Sequence, residues 1–140
     1  MATLERAIEI ARKAHDGQFD KAGMDYINHP LRVMEKGLTE NEKIVGVLHD
    51  VVEDSDWTFE MLKGEGFSDD VIDALKCVTK LSEDEDYDHF IERVKTNPLA
   101  VKVKLNDLKD NMDITRLGEV TEKDLARLNK YIRAYRQLTE

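Results

Sequence analysis

A single cysteine, Cys77, stands in the 140-residue sequence, so no disulfide can form within the chain and a reducing compartment is expected. With only 2 prolines and 7 glycines against 41% hydrophobic and 36% charged residues, the composition is that of a soluble helical protein. Basic residues are in the minority: 21 Lys and Arg face 30 Asp and Glu, and the net charge of −9 excludes nucleic acid as a general partner. No apolar run approaches membrane-spanning length. The opening MATLERAIEIARKAHDG carries charge where a signal peptide needs an uninterrupted apolar segment. A cytoplasmic protein with no membrane partner is therefore expected. The length suits one domain over residues 1–140 with a proper core.

What the chain does have is concentrated in Ile44 to Asp54, IVGVLHDVVED. An apolar run ends in His49 and Asp50, and Glu53 and Asp54 follow three and four residues on. On one continuous helix His49 would stack near Glu53 and Asp50 near Asp54. Burying unpaired carboxylates is costly, and a cation is the usual remedy, so the stretch reads as a metal site.

The remaining elements follow from caps and periodicity. Thr3 caps a first helix with Leu4, Ala7, Ile8, Ala11 and Ala14 at helical spacing, ending near Gly17. Gly17 to Asn28 loses periodicity and reads as a loop able to border a site. His29-Pro30 opens a short helix that Gly37 ends, and Thr39 with Glu42 forms a capping box for the helix carrying the opening stretch. Thr58 starts a short turn of helix, Ser68 caps another, Ser82 to Asp88 is a solvated loop, and Phe90, Ile91 and Val94 mark one face of the next helix. Ala100 to Leu105, AVKVKL, alternates like a strand, yet Pro98 suits a helix start and no second strand exists to pair with it, so helix is the reading. Thr121 caps a last helix whose Leu125, Leu128, Ile132, Tyr135 and Leu138 are expected to close the domain. The expected fold is a compact all-α bundle of seven or eight helices.

On that bundle His29, His49 and Asp50 supply two imidazoles and a carboxylate, and Asp107 can add a second carboxylate. A mixed N/O set without thiolates suits Mn²⁺, Fe²⁺, Zn²⁺ or Mg²⁺ and is not a structural zinc site. A cation there lowers the pKa of a coordinated water, and Glu53 and Asp54 are placed to orient that water or carry its proton.

The motifs AHDGQ (Ala14 to Gln18), YINHP (Tyr26 to Pro30), HDVVED (His49 to Asp54), VTKL (Val78 to Leu81) and VKLNDLKDNM (Val103 to Met112) occur in this order over most of the chain. The sequence thereby resembles the HD-domain metal phosphohydrolases and, within them, the hydrolase domain of the RelA/SpoT-type alarmone enzymes and their small single-domain relatives. The resemblance implies His29, His49, Asp50 and Asp107 as metal ligands, usually for Mn²⁺, and Glu53 and Asp54 as the pair that activates water. It also implies nucleotide contacts from Lys21, Lys80 and Asn111, and removal of pyrophosphate from the 3′ position of guanosine tetra- or pentaphosphate. The alternatives are a phosphohydrolase for another nucleotide or phosphoester, and a metal- or nucleotide-binding module without turnover. Three positions depart from that family's pattern: Asp20 replaces an arginine, Asp25 a proline and Asp113 a basic residue. Each substitutes a carboxylate for a group suited to a polyanion or to a rigid loop.

Other polar residues take structural readings. His15 closes the first helix beside Gln18, and His89 lies at the surface. Lys102, Lys104 and Lys109 form a solvated charged face, and Cys77 is a small residue on the inward side of its helix.

Overall fold

Side-chain caps decide where most of the helices begin in the computed structural model, which describes residues 2–140. The helices are α1 (Leu4–Ala14), α2 (Asn28–Lys36), α3 (Glu40–Leu48), α4 (Val51–Asp54), α5 (Phe59–Gly64), α6 (Asp69–Val78), α7 (Tyr87–Lys95), α8 (Pro98–Asn111) and α9 (Glu122–Thr139). Thr3, Thr58, Ser68, Asp86 and Asn97 each accept a backbone N–H at the start of their helix, and Thr121 with Asp124 makes a full capping box. The box expected at Thr39 is half formed. Thr39 accepts from the Glu42 N–H, but the Glu42 carboxylate accepts from Leu38 instead of reaching back to Thr39.

Among the described residues there is no strand, only an isolated bridge between Phe19 and Asp25 within the loop before α2. The alternating segment AVKVKL lies inside α8, which buries Ala100, Val103, Lys104, Asp107, Leu108 and Asp110. Spacings of three and four make one helical face, and that face overrides the local strand pattern. Lys104 on it is only 9% exposed, so the solvated face expected for Lys102, Lys104 and Lys109 holds for the outer two alone.

The expected continuous helix through Ile44 to Asp54 is broken. His49 ends α3, and Asp50, at φ −107° and ψ 0°, precedes the short α4. The cause is local: His49 Nδ1 donates to the Gly46 carbonyl at 2.6 Å and so competes with the backbone for an acceptor of the helix ladder. His49 therefore does not share a helix with Glu53, whereas the Asp54 N–H still donates to the Asp50 carbonyl at 3.0 Å; His49 and Asp50 sit at the corner between two helices. Taking α3 and α4 as one bent element leaves eight α-helices among the described residues.

The core is centred on α3, which packs against α1, α2, α6 and α8 and buries Ile44, Val45, Val47 and Leu48. The helix α9 closes the bundle less completely than its apolar stripe suggests. It buries Ala134 and Leu138, whereas Leu125 and Ile132 remain 54% and 43% exposed. The first half of α9 borders an open cavity through Asp124, Arg127, Leu128 and Tyr131, while Lys130 sits over the Tyr87 ring of α7 at 4.5 Å. No helix among the described residues is long and apolar enough to cross a membrane.

Gly46 sets the spacing between the helices that carry the two site histidines. A Cβ there would lie 3.3 Å from the Met34 Cα and N of α2. Gly46→Ala would gain about 1 kcal/mol in helix propensity but lose about 1–3 kcal/mol by forcing α2 from α3. A net loss of about 1 kcal/mol is expected, seen as a melting temperature lower by about 4 °C in a thermal scan.

Candidate metal centre and its two flanking cavities

Three helices bring their polar groups to one point. His29 comes from the first turn of α2, His49 and Asp50 from the corner after α3, and Asp107 from the buried face of α8. His29, His49 and Asp50 each offer a ligand atom within 4.8 Å of the others. Asp107 Oδ1 lies 2.9 Å from His29 Nε2 and 3.2 Å from His49 Nε2, and Asp50 Oδ2 lies 3.1 Å from His49 Nε2 and 3.9 Å from His29 Nε2. Neighbouring ligands of a cation bound at about 2.1 Å stand about 3 Å apart, so the spacing suits a divalent ion.

Hydrogen bonding tests that fit. The N–H of His49 Nδ1 is taken by Gly46, and its buried Nε2 makes no hydrogen bond although two carboxylate oxygens lie within 3.2 Å. His29 Nε2 is hydrogen-bonded to Asp107 Oδ1, but the orphaned His49 nitrogen among carboxylates fits a metal. Burial works against a charged His49, yet Asp50 and Asp107 raise it well above its ordinary pKa. Burial likewise opposes ionisation of Asp107, but Lys104, His49 and His29 hold it well below the usual carboxylate range.

Several residues that were not singled out for this site support it. Lys104 Nζ donates to Asp107 Oδ2 at 2.9 Å and sits over the Phe90 ring at 5.1 Å. Tyr26 donates its hydroxyl to Asp50 Oδ2. The Asp110 carboxylate meets His29 Nδ1 at 2.6 Å. Gln18 accepts from His15 Nδ1 and donates to the Asp54 carbonyl, joining the end of α1 to the end of α4. Tyr26 and Gln18 lie in the motifs YINHP and AHDGQ, but their partners are 24 and 36 residues away and no local pattern names them.

The remaining sequence candidates fall into two groups. Lys21 and Asn111 line a cavity of about 390 Å³ beside His29, together with Arg32, Arg116, Arg127 and Tyr131. Asn111 also donates to Asp107 Oδ1 at 3.1 Å. Lys80 lines a second cavity of about 850 Å³ with Glu53 and Asp54, and its backbone N–H donates to Glu53 Oε1 at 2.8 Å. Glu53 and Asp54 are exposed at this groove, not stacked on the histidines. Desolvation at the groove floor, then the charges of Asp50 and Glu53, push Asp54 up to about 6.

Two of the three unexpected carboxylates are already engaged. Asp20 Oδ1 accepts the N–H groups of Ala22 and Met24 and closes the loop turn. Asp113 accepts from Thr115 and pairs with Arg116 at 3.3 Å. Asp113 is thereby paired with a cation, whereas Asp20 keeps its negative charge at the cavity edge. Asp25 makes the backbone bridge to Phe19, with its side chain exposed.

No protein-family model matches the chain. It is 34% identical over 120 residues to a guanosine-3′,5′-bis(diphosphate) 3′-pyrophosphohydrolase of Aquifex aeolicus (strain VF5), a match covering 78% of this chain and 17% of that protein. It is 32% identical over 128 residues to a probable GTP pyrophosphokinase of Mycobacterium leprae (strain TN), covering 83% and 16%. The chain thus spans less than a fifth of the length of these curated relatives. Among solved structures, one described as a metazoan ortholog of SpoT that hydrolyzes ppGpp and plays a role in starvation responses superposes with a TM-score of 0.81 at 25% identity, over 99% of this chain and 85% of that one.

The raised Asp54 has a measurable signature. In the metal-free protein its carboxyl is expected to titrate near 6 by ¹³C NMR, and added Mg²⁺ is expected to lower that value. Its folded pKa lies above the unfolded value of about 3.9, so its contribution to stability is full below about pH 4 and is lost as pH rises through about 6.

Proposed function

We propose that this chain, which belongs to the RelA/SpoT-type family of HD hydrolase domains, is a divalent-metal-dependent phosphohydrolase that removes pyrophosphate from the 3′ position of guanosine 3′,5′-bis(diphosphate). The observation that carries this reading is the convergence of His29 Nε2, His49 Nε2, Asp50 and Asp107 Oδ1 beside an open cavity that His29 lines. The names of the relatives and the SpoT ortholog support the substrate.

In this reading His29, His49, Asp50 and Asp107 hold the cation; their N/O donor set suits Mn²⁺, Fe²⁺, Zn²⁺ or Mg²⁺, and the resemblance to the family favours Mn²⁺ among them. When bound, the cation polarises water and offsets negative charge that builds on the phosphate. Tyr26 fixes Asp50 and Lys104 fixes Asp107, so the donors need little rearrangement to bind. Glu53 and Asp54, at the edge of the second cavity, orient the water and take its proton as its oxygen bonds to phosphorus. The bond from phosphorus to the 3′ oxygen breaks, that oxygen gains a proton, and GDP and pyrophosphate leave.

The first cavity, about 390 Å³, is edged by Lys21, Arg32, Arg116 and Arg127 as well as by Asp20, Asp110, Asp113 and Asp124, and its basic groups meet the nucleotide's remaining phosphates. Lys21 and Asn111 contact the nucleotide there, and Lys80 does so from the other side, beside Glu53.

Purified protein is expected to hold about one divalent ion per chain and to release pyrophosphate from the bis(diphosphate). Asp50→Asn should remove both metal and turnover. Glu53→Gln should keep the metal and lower turnover by about 10²-fold or more. Orthophosphate release from a different nucleotide would assign another substrate. Bound metal without product from a panel of phosphorylated nucleotides would make the chain a binding module.

A further inference from the structure

Asp110 lies three residues beyond Asp107 on the buried side of α8 and is 1% exposed, yet it is not among the groups that face the cluster centre. Its two oxygens are fully used. Oδ2 meets His29 Nδ1 at 2.6 Å, and Oδ1 accepts from Arg32 Nε at 2.8 Å. Arg116 donates to the Asp110 backbone carbonyl at 3.0 Å and reaches Oδ2 at 3.6 Å, while Lys36 Nζ lies 3.8 Å from Oδ1. The other ring nitrogen of His29, Nε2, faces Asp107 at 2.9 Å.

A carboxylate this close to Nδ1 holds a proton there, so when a cation replaces the proton shared between Nε2 and Asp107, Nε2 is the nitrogen left to bind it. Turning the ring over would put carbon against Asp110 and break the contact. His49 has only the neutral Gly46 carbonyl in the corresponding place. The two imidazoles are therefore held differently, and His29 alone has a charged anchor.

We propose that Asp110 is a positioning residue for the cation site: it fixes the ring and tautomer of His29 from behind and, through Arg32 and Arg116, ties that ring to the cationic wall of the adjoining cavity. This rests on the metal-binding reading above and assigns it a residue outside the ligand set. The arginines balance the charge of Asp110, and the hydrogen bond to His29 carries the effect on the metal.

Mn²⁺ titration of the metal-free protein by calorimetry tests the assignment without any substrate. Asp110→Asn keeps the shape but cannot accept from both His29 and Arg32, and Mn²⁺ affinity is expected to fall about 10- to 100-fold. Arg116→Met removes a partner of Asp110 while leaving His29 in contact, and its affinity is expected to stay within about threefold of the wild type. Circular dichroism checks that both variants fold. Equal affinity of wild type and Asp110→Asn overturns the assignment of Asp110 alone, and a wild type that binds no Mn²⁺ overturns the metal reading with it. Equal weakening in both variants also overturns it, because the arginine network would then be the cause. Should Asp110→Asn fail to fold, ¹⁵N-histidine NMR of the wild type with Mg²⁺ decides. A protonated His29 Nδ1 upholds the proposal, and an unprotonated one refutes it.

Discussion

Charge balance in a small buried volume is the constraint on which the rest of the structure depends. His29, His49, Asp107, Asp110 and Lys104 are each at most 9% exposed, and Asp50 is half-buried beside them. Removing one member of such a set strands the others and costs about 3–5 kcal/mol, far more than an exposed ion pair. The helices are arranged to keep the set complete. The tight contact at Gly46 holds α2 on α3, and α8 presents Lys104, Asp107 and Asp110 on one face at helical spacing. Arg32 and Arg116 reach inward from half-exposed and exposed positions to balance Asp110, which Lys104 is not placed to do.

That arrangement separates two tasks in space. Behind the cluster, Lys104, Asp110, Tyr26 and the Gly46 carbonyl hold the donors still. In front, one cavity gathers cations and the other presents the Glu53 and Asp54 carboxylates. A phosphate ester needs both, because its charge must be met on one side while water is deprotonated on the other. The corner at His49 and Asp50 creates the division. A straight helix would have laid Glu53 and Asp54 over the histidines, whereas the break swings them into the second cavity.

Much of the fold was legible because its signals are local. Caps at Thr3, Ser68, Asn97 and Thr121 and glycine or proline at helix ends are read within a few residues. The gathering of His29, His49, Asp50 and Asp107 was legible from residue type and motif order. The reasons for the misses are also physical. Lys104 was read as solvated because lysine is rarely buried, and its partner Asp107 together with the Phe90 ring supplies the exception. Asp110 was passed over within a charged stretch because its partners His29 and Arg32 are 81 and 78 residues away. The apolar stripe of α9 reads as core because periodicity tells which side is apolar and not what lies opposite; Leu128 faces an open cavity, and Leu125 and Ile132 are exposed.

The same balance makes the metal-free state a compromise. Without a cation, Asp50 and Asp107 favour a proton on His49. If the proposed divalent ion takes that place, its binding competes with protonation and is weakened as pH falls. Binding free energy of this kind would add to folding free energy, since the unfolded chain has no such cluster. Burial of these groups then favours a cation over water, which can satisfy the oxygens but cannot neutralise them.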